Sequence, residues 1–230
     1  MKRFFKEASA HHEVDGYAVL LDGRTLRTPA RNALVTPSAR LSEAIAAEWQ
    51  AQGDQIDPMT MPLTRLANVV IDGVVPRAAD LVESIAAYGG SDLICYWATH
   101  PDSLVERQAR AWRPWLAWAK ERYGAALEVT SGVMHRPQPE SAVAALREAV
   151  AAHDPWHLGP LHMLTTASGS LVLALAVVEG KLPVDEAFAL SEIDEAYQRE
   201  RWGEDQEASE RRSRVIADMR DAARFLDLLK

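Results

Sequence analysis

Gly16-Tyr-Ala-Val-Leu-Leu-Asp-Gly-Arg-Thr-Leu-Arg-Thr28 is the stretch on which the fold class turns. Tyr17, Val19 and Leu21 alternate with Ala18 and Leu20, which is the two-residue period of a strand. Asp22-Gly23 breaks that period with a dipeptide that tolerates positive φ at both central turn positions, so the stretch predicts a β-hairpin. Leu34-Val-Thr36 is expected to add a third strand, and Phe4 and Phe5 to anchor a fourth. Thr36-Pro37 then opens a helix, with threonine as cap and proline in the first turn. Leu41, Ala44, Ile45 and Trp49 form its apolar stripe, and Gly53 ends it.

A second informative stretch follows, Ile56-Asp-Pro-Met-Thr-Met-Pro-Leu-Thr-Arg-Leu-Ala-Asn-Val-Val-Ile-Asp72. Pro58 and Pro62 bracket a rigid entry, after which Leu63, Leu66, Ala67 and Val70 recur at helical spacing. Thr64, Arg65 and Asn68 occupy the other positions, without a metal, phosphate or nucleophile motif. From about Pro76 onward the pattern is helical. Helices are expected around Leu81 to Tyr88, over Asp102 to Tyr123 with a kink or break at Pro114, and over Ser141 to Ala152. Further helices are expected over Leu161 to Glu179, Val184 to Trp202 and Glu207 to Leu229. Leu93 to Trp97 reads as a short strand or a buried helical turn, and Leu127 to Val133 as extended chain. The expected class is therefore α+β: a small N-terminal α+β domain over residues 1–75 and an all-α domain over residues 76–230.

The 230-residue chain is 48% hydrophobic, enough for a sizeable core without cross-links, and its one cysteine, Cys95, has no partner within the chain. The Leu93-Ile-Cys-Tyr-Trp97 setting points to a buried structural thiol. The N-terminus lacks a secretory signal, and Leu171 to Val178 is too short to span a bilayer, so a cytoplasmic protein without membrane insertion is expected. The net charge is −8, and the segment from Asp185 to Glu210 alone carries ten acidic residues against two arginines. Such an acidic surface disfavours nucleic acid and suits either a basic or polar protein partner or a solvated helical face.

Motifs for chemistry are weak. His153, His157 and His162 fall within ten residues, but Pro155 and Pro160 interrupt them, so they read as structural or solvent-facing rather than as metal ligands. His11-His12 are expected in a polar loop. Ser168-Gly-Ser170 lacks the nucleophile-elbow pattern and reads as a close helix approach. Asp194-Glu195 and Glu204-Asp205 are carboxylate pairs with no sign of the apolar pocket that acid–base work needs. No cofactor motif is present. The segment Val184 to Trp202 is sharper. At about 100° per residue, Leu190, Ile193 and Tyr197 make a core stripe, while Phe188, Glu195, Gln198 and Trp202 share another side. Two large aromatics beside a carboxylate and an amide suit a protein-binding surface, or else complete the core with Glu195 paired to an arginine.

Four segments taken in order are similar to a known family: Lys2-Arg-Phe-Phe-Lys6, Val19-Leu-Leu-Asp-Gly-Arg-Thr-Leu-Arg-Thr-Pro29, Met61-Pro-Leu-Thr-Arg-Leu-Ala-Asn68 and Glu195-Ala-Tyr-Gln-Arg-Glu-Arg-Trp-Gly203. Glu48-Trp49, Asp92-Leu-Ile-Cys-Tyr96 and Trp112-Arg-Pro-Trp-Leu-Ala-Trp118 fall between them, with the small residues near Gly169. The chain resembles the assembly chaperones of the ATP synthase F(1) sector, the type that binds the unassembled alpha subunit, like mitochondrial assembly factor 2. That resemblance implies two domains, α+β then helical, no catalysis and no cofactor. It implies a chaperone that holds the unassembled alpha subunit and prevents its aggregation until the beta subunit replaces it. It also implies a working carboxylate in the segment before Tyr197-Gln198, where both Asp194 and Glu195 stand. The mitochondrial members carry an import segment, whereas this sequence opens at the matching motif, as expected of a bacterial, cytoplasmic member acting as a monomer. The partner-binding set is then Phe188, Asp194, Glu195, Gln198 and Trp202. The alternative is a metal- or carboxylate-dependent hydrolase using the helical domain.

Overall fold

A computed structural model describes residues 1–132, 134–203 and 205–230. The strands are β1 Ala8–Glu13, β2 Gly16–Leu21, β3 Arg24–Thr25 and β4 Val35–Thr36, followed later by β5 Tyr96–Trp97 and β6 Thr130–Ser131. The helices are α1 Ala39–Gln50, α2 Pro62–Val69, α3 Ala78–Ala86, α4 Asp102–Tyr123, α5 Glu140–Ala151, α6 Pro155–Ser168, α7 Leu171–Val178, α8 Val184–Ser191, α9 Ile193–Trp202 and α10 Gln206–Leu229. Sheet followed by helices is the α+β class expected from the hairpin.

Two compact units are present. The first comprises Met1–Ala78, Pro155–Pro160 and Asp221–Lys230; the second comprises Ala79–Asp154 and Leu161–Arg220. In the first unit β2 is the central strand. It pairs antiparallel with β1 in the register Ala8 to Leu21 through Glu13 to Gly16, and with β3 and β4 on its other side. Asp22 and Gly23 have φ of 48° and 76°, the left-handed pair the turn requires. Ala18, Val19 and Leu34 are fully buried with Leu41 and Ile45 of α1 and with Leu63, Ala67 and Val70 of the α2 region. Each such large aliphatic side chain stabilises by about 1.5–3 kcal/mol. Gly159 leaves room for α2's end: a Cβ there would lie 2.7 Å from the Val70 side chain.

The Glu48 side chain, at the end of α1, fixes α2. Its carboxylate accepts from Leu63 N at 2.8 Å, Thr64 N at 2.8 Å and the Thr64 hydroxyl at 2.7 Å. It thus meets donors that α2, preceded by Met61, has no capping side chain of its own to satisfy. Asp72 does similar work one turn beyond α2, accepting from the Thr28 hydroxyl at 2.7 Å, Ala30 N at 3.0 Å and the Asn32 amide at 2.9 Å.

In the second unit α4 runs unbroken through Pro114 from Asp102 to Tyr123 and ends on Gly124, whose φ is 76°. Every α7 residue from Leu171 to Val177 is buried. Asp92, fully buried, bonds Val172 N at 3.0 Å and Ile94 N at 3.2 Å, and so caps both α7 and the turn Leu93–Cys95. Burial pushes its carboxyl up to about 6, against the pull of those hydrogen bonds. Cys95 is buried beside it, and burial together with the Asp92 charge pushes the thiol far above its ordinary range.

Five local expectations are corrected. The fourth strand is Ala8–Glu13 rather than the Phe4-Phe5 segment, so His11 and His12 lie on a strand, not in a loop. The polar character of that strand reflects its position at the sheet edge, its last three residues being exposed. Helix α1 begins at Ala39 after Ser38, because Thr36 is held in β4 and its hydroxyl is spent on Ser38 O and Ser42. Leu161 to Glu179 is two helices, separated at Gly169, whose φ of 68° ends α6 and frees Ser170 to cap α7 by accepting from Leu173 N at 3.1 Å. Val184 to Trp202 is also two helices, divided at Glu192, which has φ −102° and ψ 17°. Val133, at the end of the expected extended piece, lies outside the described residues, as does Glu204.

Candidate functional site

Helix α9 gives the acidic segment its shape. Ile193 and Tyr197 are buried and seat the helix, and the Tyr197 hydroxyl is 2.6 Å from that of Ser103 on α4. Glu195, Gln198 and Trp202 stand at positions i, i+3 and i+7 and share one face, as the helical angle predicts. All three line a cleft of about 400 Å³ whose other wall is the start of α10, including Ala208, Arg211 and Arg212. Trp202 is 78% exposed, a large indole left in solvent at the edge of a concave surface.

Charged side chains of α9 and its neighbours form ion pairs. The Glu192 carboxylate accepts from Arg199 at 3.2 Å and lies 3.4 Å from the Arg212 guanidinium. Arg212 in turn lies over the Phe188 ring at 5.4 Å, and Arg201 over the Tyr197 ring at 4.2 Å. Arg107 of α4 pairs with Glu200 at 2.7 Å. Desolvation in the cleft raises the Glu195 carboxyl above the ordinary carboxylate value, and the charges of Glu192 and Asp194 push the same way.

Three of the five expected residues therefore come together: Glu195, Gln198 and Trp202. Phe188 does not join them. It sits on α8 at 6% exposure, because the break at Glu192 resets the helical phase between it and Glu195. Asp194 is tied elsewhere, accepting from the Gln108 amide at 2.6 Å, while the Gln108 carbonyl receives Ala98 N at 2.7 Å. Two features of the site escaped the sequence reading. Arg199, four residues past Glu195, had a helical-spacing signal. Arg211 and Arg212 had none, since only tertiary folding brings α10 across the cleft.

The cleft combines one exposed indole with carboxylate, amide and guanidinium side chains. Glu192 pairs with Arg199 and Arg212 in its lining, and among the described residues lining it no nucleophile stands beside a base. Among the described residues no group of three His, Cys, Asp or Glu side chains is gathered as a metal site. Burial lowers the His162 imidazole below its ordinary value. No described helix is long and apolar enough to cross a membrane.

Comparison with known proteins identifies the family. Residues 2–120 match the family model described as ATP12 chaperone protein. Atp12 of Paracoccus denitrificans has a crystal structure that superposes with a TM-score of 0.97 at 44% identity, covering 100% of this chain and 98% of that one. A point variant of the same protein superposes equally well, with a TM-score of 0.97 at 44% identity and the same coverage, 100% and 98%. Protein atp12, mitochondrial, of Schizosaccharomyces pombe is 22% identical over 228 residues, spanning 91% of this chain and 76% of that protein. The family comprises chaperones of ATP synthase F1 assembly rather than enzymes, which sets the hydrolase alternative aside. The chain belongs to the ATP12 chaperone family.

Proposed function

We propose that this chaperone binds the unassembled alpha subunit of the ATP synthase through the α9–α10 cleft and prevents its aggregation, working as a cytoplasmic monomer. The observation that carries the reading is Trp202, 78% exposed beside the exposed Glu195 and Gln198 on a preformed cleft wall. An orphaned subunit exposes an apolar interface that aggregates unless covered. A chaperone that must later release it needs a few anchors in a polar rim, not a core-like seam. Trp202 is such an anchor, and the carboxylate of Glu195 orients the approach. Of the two candidate carboxylates Glu195 is the one open to a partner, since Asp194 is engaged by Gln108. Phe188 contributes from behind, by supporting Arg212.

The test is light scattering of isolated alpha subunit with and without the chaperone. Wild-type protein suppresses aggregation; Trp202→Ala and Glu195→Lys each weaken binding by about thirtyfold, as expected of an interface anchor. Both variants keep the helical circular-dichroism signal. Unchanged scattering at a several-fold excess of wild-type chaperone defeats the reading, and a variant that loses its helical signal shows a structural role instead.

A further inference from the structure

The motif Trp112-Arg-Pro-Trp-Leu-Ala-Trp118 on α4 is only half used by the fold. Trp112 is buried and donates to Leu190 O at 2.9 Å. Arg113 and Pro114 turn the other way and are exposed. With Glu106, Ala109, Arg110 and Ala117 they make one stripe at i, i+3, i+4, i+7, i+8 and i+11. At about 1.5 Å of rise per residue that stripe runs about 17 Å along the helix. It lines an open trough of about 710 Å³ beside Trp97. The charges in this trough are not balanced. Arg107, Arg122, Arg136 and Arg147 each pair with a carboxylate. Arg110 and Arg113 have no ion pair among the described residues, although Glu106 lines the same trough. The Arg113 guanidinium lies over the Trp97 ring at 5.2 Å, which holds it in place. Pro114 has no N–H, so the Arg110 carbonyl lacks the i+4 donor of a regular helix. Two cations without a counter-ion thus stand beside a main-chain acceptor without its helical donor.

We infer that this α4 trough is a second docking surface, whose occupant is an acidic segment of the unassembled alpha subunit. Five of the eight residues lining the trough are exposed, so it is too open to enclose a small ligand, which buries most of its own surface. Nucleic acid is disfavoured by the net charge of −8. An inorganic anion brings acceptors alone and leaves the Arg110 carbonyl unmet. An acidic polypeptide brings both polarities: side-chain carboxylates for Arg110 and Arg113, and main-chain N–H groups for that carbonyl. Its apolar side chains cover Pro114 and Ala117. About five extended residues, at about 3.3 Å each, span the stripe. An arginine preset on an indole, inside a surface of small apolar side chains, is a composition that anchors protein contacts. The inference rests on the reading that the alpha subunit is the client. It adds a contact that shares no residue with the α9–α10 cleft.

The experiment uses the full chain and isolated alpha subunit. A benzophenone is attached at Ala117→Cys or, separately, at Glu207→Cys beside the cleft; the native Cys95 is buried and stays unlabelled. Photo-crosslinking of the alpha subunit from position 117, at a peptide that mass spectrometry shows to carry Asp or Glu, supports the inference. A crosslinked peptide without either residue overturns it, as does a crosslink from 117 to a second copy of the chaperone. Crosslinking from 207 alone overturns the inference and leaves the cleft reading intact, and crosslinking from neither overturns both. Arg110→Glu/Arg113→Glu is expected to weaken client binding about thirtyfold, with unchanged circular dichroism. Should that pair disturb folding, Ala117→Asp, at an exposed position, is expected to weaken binding in the same direction. Full affinity in a folded charge-reversed variant overturns the inference.

Discussion

Glu48 and Asp92 solve the same problem in different surroundings. Each is a carboxylate borrowed from another element to satisfy the N-terminal N–H groups of a helix: Glu48 for α2, Asp92 for α7. Glu48 is half-buried, and its three acceptor bonds are all short. Asp92 is sealed from water, and there desolvation outweighs hydrogen bonding, so its carboxyl is raised to about 6. The contrast teaches that a borrowed cap is a simple gain near the surface. Deep in the core, the same cap carries a charge penalty that the fold must offset with donors.

Removing each cap breaks the comparison most directly. Asp92→Ala strands Val172 N and Ile94 N in a dry core and is expected to destabilise by about 3–5 kcal/mol, measured by urea denaturation. An effect below about 1 kcal/mol would mean that the interior rearranges to meet those donors.

The pH dependence sharpens the contrast. Asp92 binds its proton more tightly folded, at about 6, than at its ordinary 3.8. The native state therefore holds more protons between those values, and the contribution of this group to stability falls as pH rises from about 4 to about 6. The loss amounts to about 3 kcal/mol. The difference in unfolding free energy between wild type and Asp92→Asn should carry that slope, because the amide does not titrate. A flat difference would show that the donors hold the carboxylate ionised.

Glu48→Ala is expected to cost about 2 kcal/mol, less than the Asp92 change because Glu48 is only half-buried, so its loss opens the site at the edge of solvent, whereas Asp92 is sealed in the core. Ser170→Ala should cost about 1 kcal/mol by the same measurement, since it removes the local cap on Leu173 N and one hydrogen bond to Asp92, whose bond to Val172 N remains. If Ser170→Ala equalled Asp92→Ala, the two groups would be acting as one network rather than as separate caps.

Features encoded by neighbouring residues were legible in the sequence. Asp22-Gly23 specified its turn because positive φ at two adjacent positions is a local steric matter. The span of α4 was also legible, its apolar period running as far as Gly124. The break at Glu192 was not, because neither proline nor glycine marks it, and that one residue moved Phe188 off the face it was expected to share with Glu195. Gly169 reads in the sequence as a packing residue, because a left-handed φ in a run of small residues leaves no local signature. Within the site, the grouping of Glu195, Gln198 and Trp202 followed from helical spacing alone. The α10 arginines facing them depend on long-range folding, which no single-sequence period reports.

Cys95 has a practical consequence. A lone sulfhydryl held neutral and away from water is invisible to alkylating reagents while its surroundings stay closed. Its modification rate therefore clocks how often the interior around Asp92 opens, an intrinsic probe that needs no engineering and that client binding would slow or leave unchanged.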